Sequence, residues 1–117
     1  MHEFYYAILG TISGIHFLKE PNSNYFSNHW LTAITIDPLL TGGKTSEMLR
    51  LLLEKYNIES RPLWKPMHLQ PVFAHHPYYG ERVAETLFDQ GLCLPSGSNL
   101  TDEDRQRIEN VLVDFFN

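Results

Sequence analysis

Apolar residues in the first segment, 2 to 12, recur at helical spacing: Phe4, Tyr5, Ile8, Leu9 and Ile12 form one stripe, and Gly14 is placed to close the helix. No Ser, Thr, Asp or Asn precedes this stripe to cap its first turn. That is expected of a helix begun upstream in a longer chain, and equally of a frayed end. Ile15 to Leu18 reads as a short strand, and a polar loop rich in Asn and Ser follows from Glu20 to Asn28. His29 to Ile36 is the strongest strand pattern, with Trp30, Thr32, Ile34 and Ile36 on one face and Leu31, Ala33 and Thr35 on the other. Both faces are apolar or Thr, which predicts cover on both sides and places Trp30 in the core.

Asp37-Pro38 and Gly42-Gly43 break the chain, and Thr45 or Ser46 can cap a helix running to about Tyr56. Leu49, Leu52, Leu53 and Tyr56 are its inner stripe. Asn57 ends it, and Ile58-Glu59-Ser60 reads as a brief strand, so that strand, helix and strand make a crossover unit. Residues 61 to 80, with four prolines and three histidines, are irregular. Glu81 to Gln90 is a short helix with Val83, Ala84, Leu87 and Phe88 inward and Gly91 at its C′ position. Leu92-Cys93-Leu94 is a third main strand. Thr101 to Asp104 resembles a capping box opening a last helix with Ile108, Val111, Leu112 and Phe115 inward. The pattern is that of one α+β domain.

Composition narrows what such a domain can do. The net charge of −5 repels phosphate backbones and argues against nucleic-acid binding. Apolar runs of only a few residues argue against a membrane span. One cysteine, Cys93, excludes a disulfide framework and fits a reducing compartment. No secretory leader is visible at the start of the sequence, and the expected setting is the cytoplasm.

Candidate chemistry concentrates in Ser60-Arg61-Pro62-Leu63-Trp64-Lys65-Pro66-Met67-His68-Leu69-Gln70. Prolines fix the directions of two cations, an indole and an imidazole. The loop can hold an anionic, ring-containing ligand, with Arg61 and Lys65 toward phosphate, Trp64 as a stacking surface and His68 as donor or acceptor. From residue types alone the plainer reading is favoured, a surface loop with Trp64 in the core and its charges solvated. Asn28, at the mouth of the strongest strand, can face a cleft or cap the strand. Ser96, in Leu94-Pro95-Ser96-Gly97-Ser98, lies in an anion-binding nest or a plain connection. His68, His75 and His76 with Cys93 match no zinc spacing, so no metal site is expected, and Cys93 reads as a core residue.

Asn28-His29-Trp30-Leu31-Thr32, then the run from Ile58 to Gln70, then Gly91 to Ser98 and the acidic-capped last helix resemble one family in this order. They are similar to the C-terminal part of the DegT/StrS group of pyridoxal-phosphate sugar aminotransferases, over almost the whole chain. The resemblance implies the small C-terminal α+β domain of a fold-type I aminotransferase, a short sheet of about three strands with three to four helices. It implies a parent enzyme that is a homodimer, carries pyridoxal phosphate in a large N-terminal domain, and moves an amino group from glutamate to a nucleotide-linked keto-sugar for cell-surface glycans. His68 then lies near cofactor and sugar, Arg61, Trp64 and Lys65 border the nucleotide-sugar cleft, and Asn28 and Ser96 are lesser parts of the same wall.

The cofactor needs a lysine amine in a dry pocket. None of the four lysines here (Lys19, Lys44, Lys55 and Lys65) stands in the family's Schiff-base motif, which belongs to the large domain. The expectation is therefore a single domain, 1–117, without its catalytic half: no catalytic residue of its own, no cofactor held alone, and its own large domain as partner. The competing expectation is a non-catalytic interaction module from a truncated gene.

Overall fold

A computed structural model describes residues 1–117. Helix α1 (His2–Leu9) leads to strand β1 (Ile15–Phe17), then β2 (Thr32–Ile36), α2 (Ser46–Lys55) and β3 (Arg61–Pro62). Two 3-10 turns, Met67–Leu69 and Pro71–Phe73, precede α3 (Val83–Gln90), β4 (Gly91–Leu94) and α4 (Asp102–Phe116). The strands form one antiparallel sheet in the order β1-β2-β4-β3, four strands where about three were expected. Because β2 and β3 both run opposite to β4, they are parallel to each other with β4 between them. The expected crossover through α2 is therefore present in a split form.

One face of the sheet makes the core. Thr32, Ile34 and Ile36 of β2 and Leu92 and Leu94 of β4 are buried together with Tyr5, Leu9, Leu49, Leu53, Ile108 and Leu112 from the helices. Tyr5 donates its hydroxyl hydrogen to the Pro95 carbonyl at 2.6 Å, tying α1 to the segment after β4. Burial pushes its phenol pKa well above the usual value.

The helix ends follow the sequence. Thr45 Oγ1 accepts from the Met48 N–H at the start of α2. At its other end Asn57 is left-handed (φ 55°), its N–H bonds Glu54 O, and the Ile58 N–H reaches Leu53 O. That is a Schellman closure with Ile58 as its buried apolar contact. At α4, Thr101 Oγ1 accepts from the Asp104 N–H while Asp104 Oδ2 accepts from the Thr101 N–H, a complete capping box.

Several expectations are corrected. The strand predicted from His29 begins only at Thr32. Upstream, Ser27 Oγ and Asn28 Oδ1 capture the N–H groups of His29 and Trp30, and His29 is left-handed (φ 47°), so side chains take the hydrogen bonds a ladder would use. Trp30 is consequently 69% exposed and outside the core. The outer face of β2, Ala33 and Thr35, is half-buried rather than covered. Ile58 to Ser60 is not a strand, because the Schellman turn occupies it, and the ladder starts at Arg61. Tyr56 is half-exposed rather than inward.

The first helix stops at Leu9, closed by Gly10, whose N–H bonds Tyr6 O. Gly14 instead turns the chain into β1 at φ +86°, where a Cβ would crowd Leu40 and Thr41. In α3, Val83, Ala84 and Leu87 are exposed rather than inward, and only Phe88 of the expected stripe is half-buried. Gly91 opens β4 with an extended backbone, and its bare Cα admits the Leu63 side chain and the Leu87 carbonyl.

Candidate functional site

Strand β3 is one edge of the sheet, and Pro62 blunts it. Between this edge and α4 lies a half-open cleft of about 690 Å³, within the size range of small-molecule sites. Its floor is apolar, from the buried Leu94 and Ile108. Its rim carries Trp30, Trp64 and Arg61. The two indoles are 69% and 71% exposed, with ring centroids 6.5 Å apart and planes tilted by 35°. Two large exposed aromatics beside an apolar floor form a stacking surface.

The polar groups are few. Arg61 is already paired with Glu59, at 2.7 Å from Nε and 2.6 Å from Nη2, and both side chains are exposed. Such a pair is weak, so an incoming anion can compete for the guanidinium. Arg107 donates from Nη2 to the Tyr56 carbonyl at 2.9 Å, joining α4 to the end of α2 on the cleft wall. Ser60 lines the cleft with an Oγ that has no hydrogen-bond partner. Asp104 is held below the ordinary carboxyl range, chiefly by the Thr101 hydroxyl and then by the Thr101 backbone N–H. Cys93 is on the wall, but burial pushes its thiol pKa up, which disfavours the thiolate a nucleophile needs.

The structure thus brings Arg61 and Trp64 together and separates the other expected site residues from them. Lys65 is exposed and outside the cleft lining, and its carbonyl accepts from Gln70 Nε2. Asn28 is exposed and serves Trp30 by accepting its N–H. Ser96 is committed to the fold: its Oγ accepts from the Thr32 N–H at 2.8 Å and donates to Leu94 O at 2.9 Å. His68 sits in the first 3-10 turn, outside the cleft lining, stacked on Tyr78 at 3.8 Å, with Nε2 3.1 Å from Glu85 Oε1. Glu85 also accepts from Arg82 at 2.9 Å. These bonds, His68 first and Arg82 second, hold the Glu85 carboxyl below its usual range.

Sequence reasoning missed Trp30, Ser60, Arg107 and Glu85. For Trp30 the signal was available in Ser27 and Asn28, both side chains that compete for backbone N–H groups. For Glu85, seventeen residues from His68, there was none.

No group of three or more His, Cys, Asp or Glu side chains gathers in metal-binding geometry. The lysines do not fit a Schiff-base site. Lys19, Lys55 and Lys65 are exposed, Lys44 lies over the Phe115 and Phe116 rings, and none lines the cleft.

The sequence model of the DegT/DnrJ/EryC1/StrS aminotransferase family matches residues 1–113. EpsN of Bacillus subtilis (strain 168), assigned as a pyridoxal phosphate-dependent aminotransferase, is 40% identical over 116 residues, covering 96% of this chain and 29% of EpsN. The GDP-perosamine synthase of Vibrio cholerae is 33% identical over 103 residues, covering 85% of this chain and 26% of that enzyme. Among solved structures, the aminotransferase TlmJ of Streptoalloteichus hindustanus superposes with a TM-score of 0.80 at 18% identity, covering 97% of this chain and 29% of TlmJ. DesI in the presence of its TDP-sugar product does so at 0.79 and 22%, covering 98% and 29%. At these identities the two structures establish the shared α+β fold. The chain spans less than a third of the length of each of these relatives.

Proposed function

Since this chain belongs to the DegT/DnrJ/EryC1/StrS aminotransferase family, we propose that it is the C-terminal, substrate-facing small domain of a pyridoxal-phosphate enzyme that passes an amino group from glutamate to a nucleotide-linked keto-sugar. The observation that carries this reading is the family match over residues 1–113, and the two exposed indoles beside Arg61 agree with it. A GDP-sugar enzyme and a TDP-sugar enzyme among the similar proteins point to the substrate class. Cell-surface glycan synthesis in the cytoplasm, by a homodimer, completes the reading.

In this account Trp64 and Trp30 take the nucleobase by stacking, which tolerates different bases because each has a π face. Arg61 exchanges Glu59 for a phosphate oxygen, and Lys65 adds positive charge nearby. His68 faces the sugar. Asn28 acts through the Trp30 backbone, and Ser96 through the β2–β4 junction. The cofactor supplies the electron sink for amino transfer. Its lysine belongs to the large domain, so the isolated chain is inactive and binds nucleotide sugar feebly, having one wall of a two-walled pocket. The exposed apolar residues Leu18, Phe26, Tyr79, Val83 and Leu87 are surface for that large domain to cover.

The test joins the chain to a separately made large domain of EpsN and follows amino-sugar formation from glutamate, pyridoxal phosphate and a nucleotide-linked keto-sugar. Activity that needs both parts and falls with His68→Ala supports the reading. A soluble, self-sufficient chain that never associates with the large domain favours the non-catalytic module.

A further inference from the structure

The ring of His68 is held by two residues outside its own turn, Tyr78 on its face and Glu85 at its edge. Tyr78 stacks on it at 3.8 Å with planes 22° apart, and the Tyr78 hydroxyl is in turn anchored to the Glu81 carbonyl. Glu85, in the first turn of α3, lies 3.1 Å from Nε2, and Arg82 occupies its second oxygen at 2.9 Å. His68 and Glu85 are each only 17% exposed at the side chain, so water competes poorly for this bond. An ionised carboxylate has no proton to donate, which requires Nε2 to carry the hydrogen. The one hydrogen bond of the ring is at Nε2, and Nδ1 makes none within the protein.

We propose that Glu85 is a positioning residue that fixes His68 in the Nε2–H form, so that Nδ1 is offered as an acceptor to a donor hydrogen of the ligand, a sugar hydroxyl or an ammonium group. Tyr78 sets the plane of the ring, and Glu85 sets which nitrogen accepts. This rests on the reading of His68 as a sugar-facing residue, although the lock itself is a property of the 117-residue chain. An acceptor nitrogen favours a neutral or cationic donor and disfavours a phosphate oxygen, which separates the task of His68 from that of Arg61.

Nitrogen-15 NMR of the histidine rings at about pH 9, where imidazoles are neutral, reads the tautomer directly. The Nε2–H form of His68 is expected almost alone, above the several-fold preference that a free neutral histidine side chain already shows for it. In Glu85→Ala, which leaves Nε2 without its acceptor, the ratio relaxes toward that free-side-chain preference. An Nδ1–H form, or a mixture no richer in Nε2–H than a free histidine side chain, overturns the lock, and this outcome needs no variant to fold. An unchanged ratio in a folded Glu85→Ala chain also overturns it. A confirmed lock, with amino-sugar formation by the joined domains unaffected by His68→Ala, overturns the assignment of Nδ1 to the ligand while the aminotransferase reading survives.

Discussion

Replacing Trp64 with Ala separates a ligand-binding tryptophan from a structural one. The side chain is 71% exposed and its nearest aromatic neighbour, Trp30, is 6.5 Å away and tilted, so little folding energy depends on it. Truncating an exposed residue of this kind changes stability by no more than about 0.5 kcal/mol, against about 3–5 kcal/mol for a core tryptophan. The ligand side is different. A nucleobase covering one indole face removes roughly 60 Å² of apolar surface, worth about 1.5 kcal/mol at about 25 cal/mol per Å². That lies within the roughly 1–3 kcal/mol typical of base–aromatic stacking. Trp64→Ala should therefore weaken nucleotide-sugar affinity about tenfold or more while leaving thermal unfolding almost unmoved. Indole N–H signals titrated with nucleotide sugar measure the first, and calorimetry the second. Unchanged affinity in the variant refutes the stacking role, and a melting point lowered as by a core deletion refutes the geometry.

Further expectations follow from the caps and junctions. Ser96→Ala removes the acceptor for the Thr32 N–H and should cost about 1–3 kcal/mol of stability, checked by urea unfolding. Thr101→Ala should cost about 1 kcal/mol by uncapping α4, visible as a lowered melting temperature. The capping box also sets a pH dependence. Because Asp104 titrates below its ordinary 3.8 when folded, its contribution is fully present above that value and is lost as pH falls through the depressed one. Melting temperature measured down the acid limb should drop less steeply in Thr101→Ala than in the parent chain.

The fold was legible where one element's local chemistry decided it. Thr45, Asn57 and the Thr101–Asp104 box each close a helix end with their own atoms, and all three can be read from residue type and spacing. Leu92 to Leu94 was legible as a strand because an apolar run between Gly and Pro has few alternatives. Legibility failed where competition or missing cover decided. The backbone N–H groups of His29 and Trp30 were claimed by side chains, so an apolar pattern did not become a ladder. Helix α3 shows apolar periodicity, yet Val83 and Leu87 are exposed, because periodicity marks an apolar stripe without saying what it packs against. The site divides in the same way. Arg61 and Trp64 are three residues apart and share a wall, whereas the Glu85 partner of His68 and the Trp30 partner of Trp64 depend on tertiary placement.

The claim that this domain lends one wall to a pocket whose reactive amine lies elsewhere is tested most directly by locating that amine. Pyridoxal phosphate is added to the chain joined with a large domain, reduced with borohydride, and the labelled peptide identified by mass spectrometry. The account predicts one stoichiometric label, on a lysine of the large domain, and none of that kind on Lys19, Lys44, Lys55 or Lys65. Stoichiometric labelling of one of these four in the chain alone would contradict it.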